Sequence, residues 1–252
     1  MLLLGGCATL LAFAQVENSK TTCWRIDVEV EQLAGLFFIN EQAIRDQISS
    51  TMPAIIGQKM VDLPINNIQK SIQSLPSVKE AIVYANVDGR LSIHVSQRTP
   101  AIRIINKDGS SYYLDKAGKK MPLSTTYTAK VPIVIGHIQE AFDQPDAFAV
   151  THNPELASQT FMDEVFVMVT EMNADPFWAA QIDHIYVNKK QEFELIPRVG
   201  NHKILFGNTD RAHLKLNKLK AFYKEAALGY NLNVYKQIDA RYRNQVIGIR
   251  YY

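Results

Sequence analysis

The side chains of this chain that could do chemistry are six histidines and a scatter of carboxylates, and their spacing argues against a reaction. His94, His137, His152, His184, His202 and His213 lack a second histidine or carboxylate at the helical or strand separation that would let two side chains grip one ion. Each reads as a surface or hydrogen-bonded structural histidine. Asp163 and Glu164 are adjacent acids in a stretch of helical periodicity. Neighbours on a helix project in different directions, so the pair reads as a solvated face rather than an acid and a base flanking a bond. Asp115-Lys-Ala-Gly118-Lys119-Lys120 has the glycine and lysines of a phosphate loop but not its first glycine, and reads as a turn. The zinc, redox and nucleophile-elbow motifs are missing too. No catalytic residue, metal ligand, cofactor or small-molecule substrate is expected, and the chain is not expected to be an enzyme.

Two surface features suggest docking instead. Val246, Ile247, Gly248 and Ile249 form an apolar run at the end of the chain. A terminal strand often borders a sheet, where unpaired N–H and C=O groups invite another strand; an apolar edge must be covered either within its own domain or by a partner. Arg211, Lys215 and Lys218 share a helical face, either a solvated one or one facing anionic lipid headgroups.

The elements that must position these residues are legible. Leu91, Ile93 and Val95 alternate with Ser92, His94 and Ser96, the period of a strand with one buried face. A strand from about Val78 to Val87 precedes it, and Asp88-Gly89 reads as a two-residue hairpin turn. Upstream, Trp24, Ile26, Val28 and Val30 alternate with charged residues as an amphipathic strand. Asn40 caps a helix ended by Pro53, and a second helix starts near Pro64 with Ile65, Ile68 and Ile72 on one face. The order is strand, helix, helix, strand, strand, closed by Pro100.

Beyond Ala101 short strands alternate with turns: Ile102 to Ile105, Ser111 to Leu114 and Val131 to Ile135. A loop is expected over about Glu140 to Pro154, then a helix from Glu155 to Met172 with Met162, Val165, Val169 and Met172 inward. Three strands follow (Ile182 to Val187, Glu192 to Arg198, His202 to Phe206), then a helix from Asp210 to Leu228 stopped by Gly229. Ile238 to Tyr242 and Gln245 to Tyr251 close the chain as strands.

A formal net charge of +2 in 252 residues, without basic blocks, excludes a general nucleic-acid binder. Met1 to Val16 is uncharged and rich in Leu, Ala and Gly, a little short of the roughly 20 apolar residues of a span and without a basic flank. It reads as most of a membrane segment whose translation start is placed late. Leu4-Gly5-Gly6-Cys7 offers the competing reading of a lipoprotein box; either way the remainder is expected to be exported. If the segment spans the membrane, Cys7 and Cys23 are not expected to pair, leaving Cys23 as a partly buried thiol.

Taken in order, these stretches resemble the bacterial cell-division family FtsQ/DivIB in its Bacteroidota form, from Cys23 to the end. Leu75-Pro-Ser-Val-Lys-Glu-Ala and Leu91-Ser-Ile-His-Val-Ser-Gln-Arg-Thr-Pro100 are similar to its POTRA module and the exit from it. Tyr112-Tyr-Leu-Asp115-Lys-Ala-Gly118, Pro132-Ile-Val-Ile-Gly136-His137, Phe177-Trp178-Ala-Ala-Gln181-Ile182 and Glu194-Leu-Ile-Pro-Arg198-Val-Gly200 resemble its β domain, and Ile238-Asp239-Ala-Arg241-Tyr242 with Gln245-Val246 its closing strands. The resemblance implies an α+β protein: a membrane segment (1–16), a linker (17–22), a POTRA module (23–99) and a mainly antiparallel β domain with two helices (100–252). It further implies a single-pass inner-membrane scaffold at the division septum, its bulk in the periplasm, that binds FtsB and FtsL. In the family the last strand pairs with FtsB, which carries over to Gln245, Val246, Ile247, Gly248, Ile249 and Arg250, with Asp239, Arg241 and Tyr242 beside it. Arg98, Thr99 and Pro100 are the implied domain hinge. An outer-membrane assembly or secretion component also carries POTRA modules, but two helices in the C-terminal half leave too little chain for a barrel.

Overall fold

The computed structural model describes residues 21–31, 35, 37–143, 161–229 and 232–251. The expected membrane segment, Cys7, His152 and most of the 140–154 loop lie outside them. Among the described residues no helix is long and apolar enough to cross a membrane. The chain divides into two compact units, Met1–Arg98 with Ser124–Thr128, and Thr99–Leu123 with Ala129–Tyr252.

The first unit is β1 (Arg25–Val30), α1 (Glu41–Thr51), α2 (Ile65–Gln73), β2 (Val78–Ala85) and β3 (Arg90–Gln97), in the expected order. Its sheet runs β1-β3-β2, with β1 parallel and β2 antiparallel to β3. Asn40 caps α1 as expected, its Oδ1 accepting from the amide of Ala43 at 2.9 Å. Ile44 and Ile48 of α1 and Ile68 and Ile72 of α2 bury against Leu91, Ile93 and Val95, the alternate residues of β3. A bulge between Val78 and Glu80 interrupts the alternation of β2. Gln73 serves the displaced backbone there: its Oε1 accepts from Ala81 N and its Nε2 donates to Lys79 O, both at 2.8 Å. Gln97 is buried, accepting from the amides of Phe38 and Ile39 and donating to Glu31 O.

Two expectations fail here. β2 ends at Ala85, so the hairpin loop is four residues, Asn86 to Gly89, closed by Asn86 N donating to Arg90 O at 2.8 Å. Trp24 is not a core residue. Its ring lies exposed over the hairpin tip with Nε1 donating to Asp88 O at 2.8 Å, because alternation fixes which residues share a face but not where the buried stretch stops. Cys23, by contrast, is fully buried; burial pushes its thiol up, and Sγ donates to Arg25 O.

The second unit is one sheet of β4 (Pro100–Ile105), β5 (Ser111–Asp115), β6 (Lys120–Met121), β7 (Ile133–Gly136), β8 (Ile182–Val187), β9 (Phe193–Pro197), β10 (Lys203–Gly207), β11 (Tyr235–Asp239) and β12 (Ile247–Arg250). Their order is β12-β11-β10-β9-β8-β7-β4-β5-β6. Five pairings are antiparallel and three, at β4/β7, β7/β8 and β10/β11, are parallel. Parallel neighbours need a long crossover. That between β7 and β8 carries α3 (Met162–Asn173) and α4 (Pro176–Gln181); that between β10 and β11 carries α5 (Ala212–Gly229).

The helices pack Met162, Val165, Val169 and Met172 of α3, Trp178 of α4 and Leu216, Leu219 and Tyr223 of α5 into one core with the sheet. Sequence alone suggests two helices in this unit; α4 is the third. It is six residues long, too short for apolar periodicity to register, although Asp175 caps it and Pro176 opens it. Asp115 Oδ1 accepts from the amides of Ala117 and Lys119, so the stretch with phosphate-loop character is a side-chain-closed turn.

Candidate docking edge

The two ends of the nine-stranded sheet differ. β6 is two residues long and both are buried, one of the ways an edge is blunted. β12 is four residues long, pairs with β11 only, and has no strand beyond it among the described residues. Ile247 and Ile249 are 37% and 44% exposed. They stand opposite Asp239 and Gln237, whereas Gly248 stands opposite the buried Ile238 and so faces the helix-covered side. The apolar, open edge is therefore this one.

What holds β12 in place is side-chain packing and a clamp at its turn. Tyr235 packs edge-on against Phe222 of α5 at 5.4 Å, and the Arg250 guanidinium lies 5.7 Å from the Tyr235 ring centre. A Cβ on Gly248 would come within 2.4 Å of that ring, so β12 can lie against Tyr235 only because position 248 has no side chain. A bulge between Tyr235 and Gln237 puts Tyr235 and Ile238 on the same side of the sheet. At the far end, Tyr251 N donates to Val234 O and its hydroxyl to Asn201 O, both at 3.1 Å.

The turn before β12 begins at an ion pair between the buried Asp239 and the exposed Arg241. Asp239 accepts from Arg241 Nε at 3.0 Å and Nη2 at 2.6 Å, and from the Arg241 amide at 3.1 Å. Burial pushes this carboxyl up, but the hydrogen bonds and charge of Arg241 outweigh it and hold it below the ordinary range. Lys218 Nζ, from α5, then donates to the carbonyls of Ala240, Tyr242 and Gln245. Burial pushes the Lys218 ammonium down. Lys215 is buried beside it, donating to Asn208 O and Oδ1 and lying 5.1 Å from the Phe206 ring centre.

The residues read from sequence as one docking strip thus fall into three groups. Asp239 is the last residue of β11 and buried; the strand begins at Tyr235 and ends there, three residues earlier at both ends than the expected 238–242. Arg241, Tyr242, Gln245 and Val246 precede β12 rather than belonging to it, and Val246 packs against the core. Only Ile247, Gly248, Ile249 and Arg250 form the edge strand. Of the expected basic face, Arg211 is exposed and precedes α5, whereas Lys215 and Lys218 donate to backbone and side-chain acceptors of their own unit. Sequence reasoning missed Lys218 and Tyr235 as parts of this edge. The available signal was that Lys215 and Lys218 flank the inward-facing Leu216 and Leu219.

Arg98, Thr99 and Pro100 lie elsewhere. Arg98 donates its amide to Ser77 O at 2.9 Å and Nε to Pro76 O at 3.1 Å. Pro100 opens β4 opposite Asp115, and β4 is six places from β12 in the sheet, about 29 Å at the usual strand spacing. Among the described residues no three His, Cys, Asp or Glu side chains are grouped to hold a metal ion.

Fold and edge together define the class: a three-stranded, two-helix unit followed by a large sheet whose terminal strand is left open. A sequence profile described as a POTRA-like domain matches residues 21–96, and one described as FtsQ/DivIB, C-terminal related, matches residues 99–248, more than half of the chain. Cell division protein FtsQ of Salinibacter ruber (strain DSM 13855 / M31) is 29% identical over 176 residues, 68% of this chain. The match spans 64% of that relative's length. The chain belongs to the FtsQ/DivIB family.

Proposed function

We propose that this chain is a non-enzymatic scaffold of the bacterial cell-division machinery, anchored in the inner membrane by Met1 to Val16 with residues 23–99 and 100–252 in the periplasm at the septum. Its β12 edge takes up a strand of FtsB, with FtsL in the same assembly. The observation that carries this reading is the unequal treatment of the two sheet edges in a member of this family: β6 is short and buried, β12 longer, apolar and open. Added main-chain hydrogen bonds would supply affinity, and Ile247 and Ile249 would give the incoming strand an apolar face to match.

The test is titration calorimetry of the full chain against a periplasmic FtsB fragment. Ile247→Pro removes a backbone donor, and Ile247→Glu puts a charge in a paired interface. Both are expected to abolish heat of binding while the circular dichroism spectrum of the chain is retained. Undiminished binding by both variants rules the edge out.

A further inference from the structure

Three segments of the first unit converge where the described chain begins. Thr22 forms an antiparallel bridge with Lys59, flanked by Gly57 N donating to Cys23 O at 2.7 Å and Met60 N donating to Thr21 O at 2.9 Å. On the other side the β2–β3 loop closes in: Trp24 N donates to Gly89 O at 3.0 Å, and a Cβ on Gly89 would lie 2.6 Å from Thr22 O. Gly89, at φ +84°, is the residue type this approach demands. The end so built has four large apolar side chains, Trp24, Ile56, Val61 and Val87, each between 57% and 79% exposed. They come from three separate stretches, so no single amphipathic element accounts for them. Lys59 is exposed among them; of the nearby acids, Asp88 is engaged by Arg90 at 2.7 Å and Asp62 is exposed.

This is also the end by which the unit is tethered. The uncharged segment Met1 to Val16 ends five residues before Thr21. Five residues reach at most about 17 Å when fully extended. If that segment crosses the bilayer, Thr21, where the tip begins, cannot stand further than this from the hydrocarbon boundary. An indole is the side chain best suited to the headgroup layer, with its ring among acyl carbons and its N–H toward a polar acceptor.

From this convergence of apolar tip and short tether, we infer that Trp24, Ile56, Val61 and Val87 seat the first unit on the lipid headgroup layer. The inference rests on the membrane anchoring proposed above. The docked tip limits how freely the unit turns about its tether.

The full chain, reconstituted in phosphatidylcholine vesicles, reports on this through its tryptophans. The protein has two, and Trp178 is completely buried in the second unit's core, so Trp24 is the one lipid can reach. Bromine on the upper acyl carbons is expected to quench Trp24 more strongly than bromine deep in the chains, with a blue-shifted emission; Trp24→Phe is expected to abolish the quenching. Ile56→Ser combined with Val87→Ser is expected to reduce it roughly twofold, since interfacial binding scales with buried apolar area. A chain that floats with the vesicles but is not quenched overturns the inference and leaves the anchor intact. So does quenching indifferent to the serine substitutions, which would reflect the tether alone. A blue shift without quenching means that a second copy covers the tip. A chain that does not float removes the anchor and this inference together.

Discussion

The ring of Tyr235 occupies the space where a side chain on Gly248 would be: a Cβ there would come 2.4 Å from Cε1 and 2.7 Å from Cδ1. Tyr235 is itself held by Phe222 and by the bulge in β11, so it is poorly placed to retreat. The open edge is thus positioned by an absence of atoms at one of its own residues. Gly248→Ala is expected to push β12 off Tyr235. Such overpacking costs about 1–3 kcal/mol. Hydrogen–deuterium exchange should show the amides of 247–250 losing protection while those of β9 and β10 keep theirs, and capture of the partner strand should weaken in parallel.

Lys218 ties the turn before β12 to α5 through three carbonyls, those of Ala240, Tyr242 and Gln245. Methionine keeps most of the aliphatic stem and removes the donor. Lys218→Met is expected to lower the unfolding free energy by about 0.5–1.5 kcal/mol, the net worth of an ordinary hydrogen bond, because solvent reaches this site. The diagnostic is where exchange rises: over 240–246, not over α5. If protection in the turn is unchanged, the clamp contributes nothing to the geometry of the edge.

The contrast between these two residues and the helix caps explains what sequence could say. Asn40 before α1, the Ile65, Ile68, Ile72 face of α2 and the alternation of β3 are set by neighbours within a few positions, and all three are found where periodicity and capping put them. The apolar terminal run was legible, but not whether its own domain covers it. Its supports were not. Gly248 meets Tyr235, thirteen positions away, and Lys218 meets Gln245 across 27 positions. Nothing local marks either contact. Trp24 fails for a related reason: alternation groups it with Ile26 and Val28, but it precedes β1, and how far a core extends along such a stretch depends on elements distant in sequence.

His202 and Tyr223 share a buried hydrogen bond of 2.6 Å between Nε2 and the hydroxyl, with Gly200 packed against the other side of the imidazole. His202 Nδ1 has no partner among the described residues, and burial pushes the imidazole below its ordinary range. Because the folded state disfavours the proton, the unfolded state binds it first as pH falls through about 6.5. Stability is therefore expected to drop on acidification below that point. His202→Gln, which offers an amide near the position of Nε2 and does not titrate, should show a shallower fall in melting temperature between about pH 7 and pH 5. An unchanged slope would mean that the acid sensitivity lies elsewhere.

Asp163 is expected to behave with the opposite sign. It sits in the first turn of α3, where the helix dipole favours a carboxylate, yet burial raises its carboxyl to about 6 and Oδ1 finds no hydrogen-bond partner among the described residues. Desolvation outweighs the dipole. The folded state then holds the proton more tightly than the unfolded chain, whose aspartate titrates near about 3.9. The stabilisation is complete below the unfolded value and is lost as pH rises through about 6. Asp163→Asn keeps the shape without the charge. It should match the parent's melting temperature at about pH 4 and exceed it at about pH 7.5, the gap opening across the interval between the two pKa values. A gap that is constant with pH would assign the gain to packing; no gain at all would mean that the carboxylate finds water or a partner when it ionises.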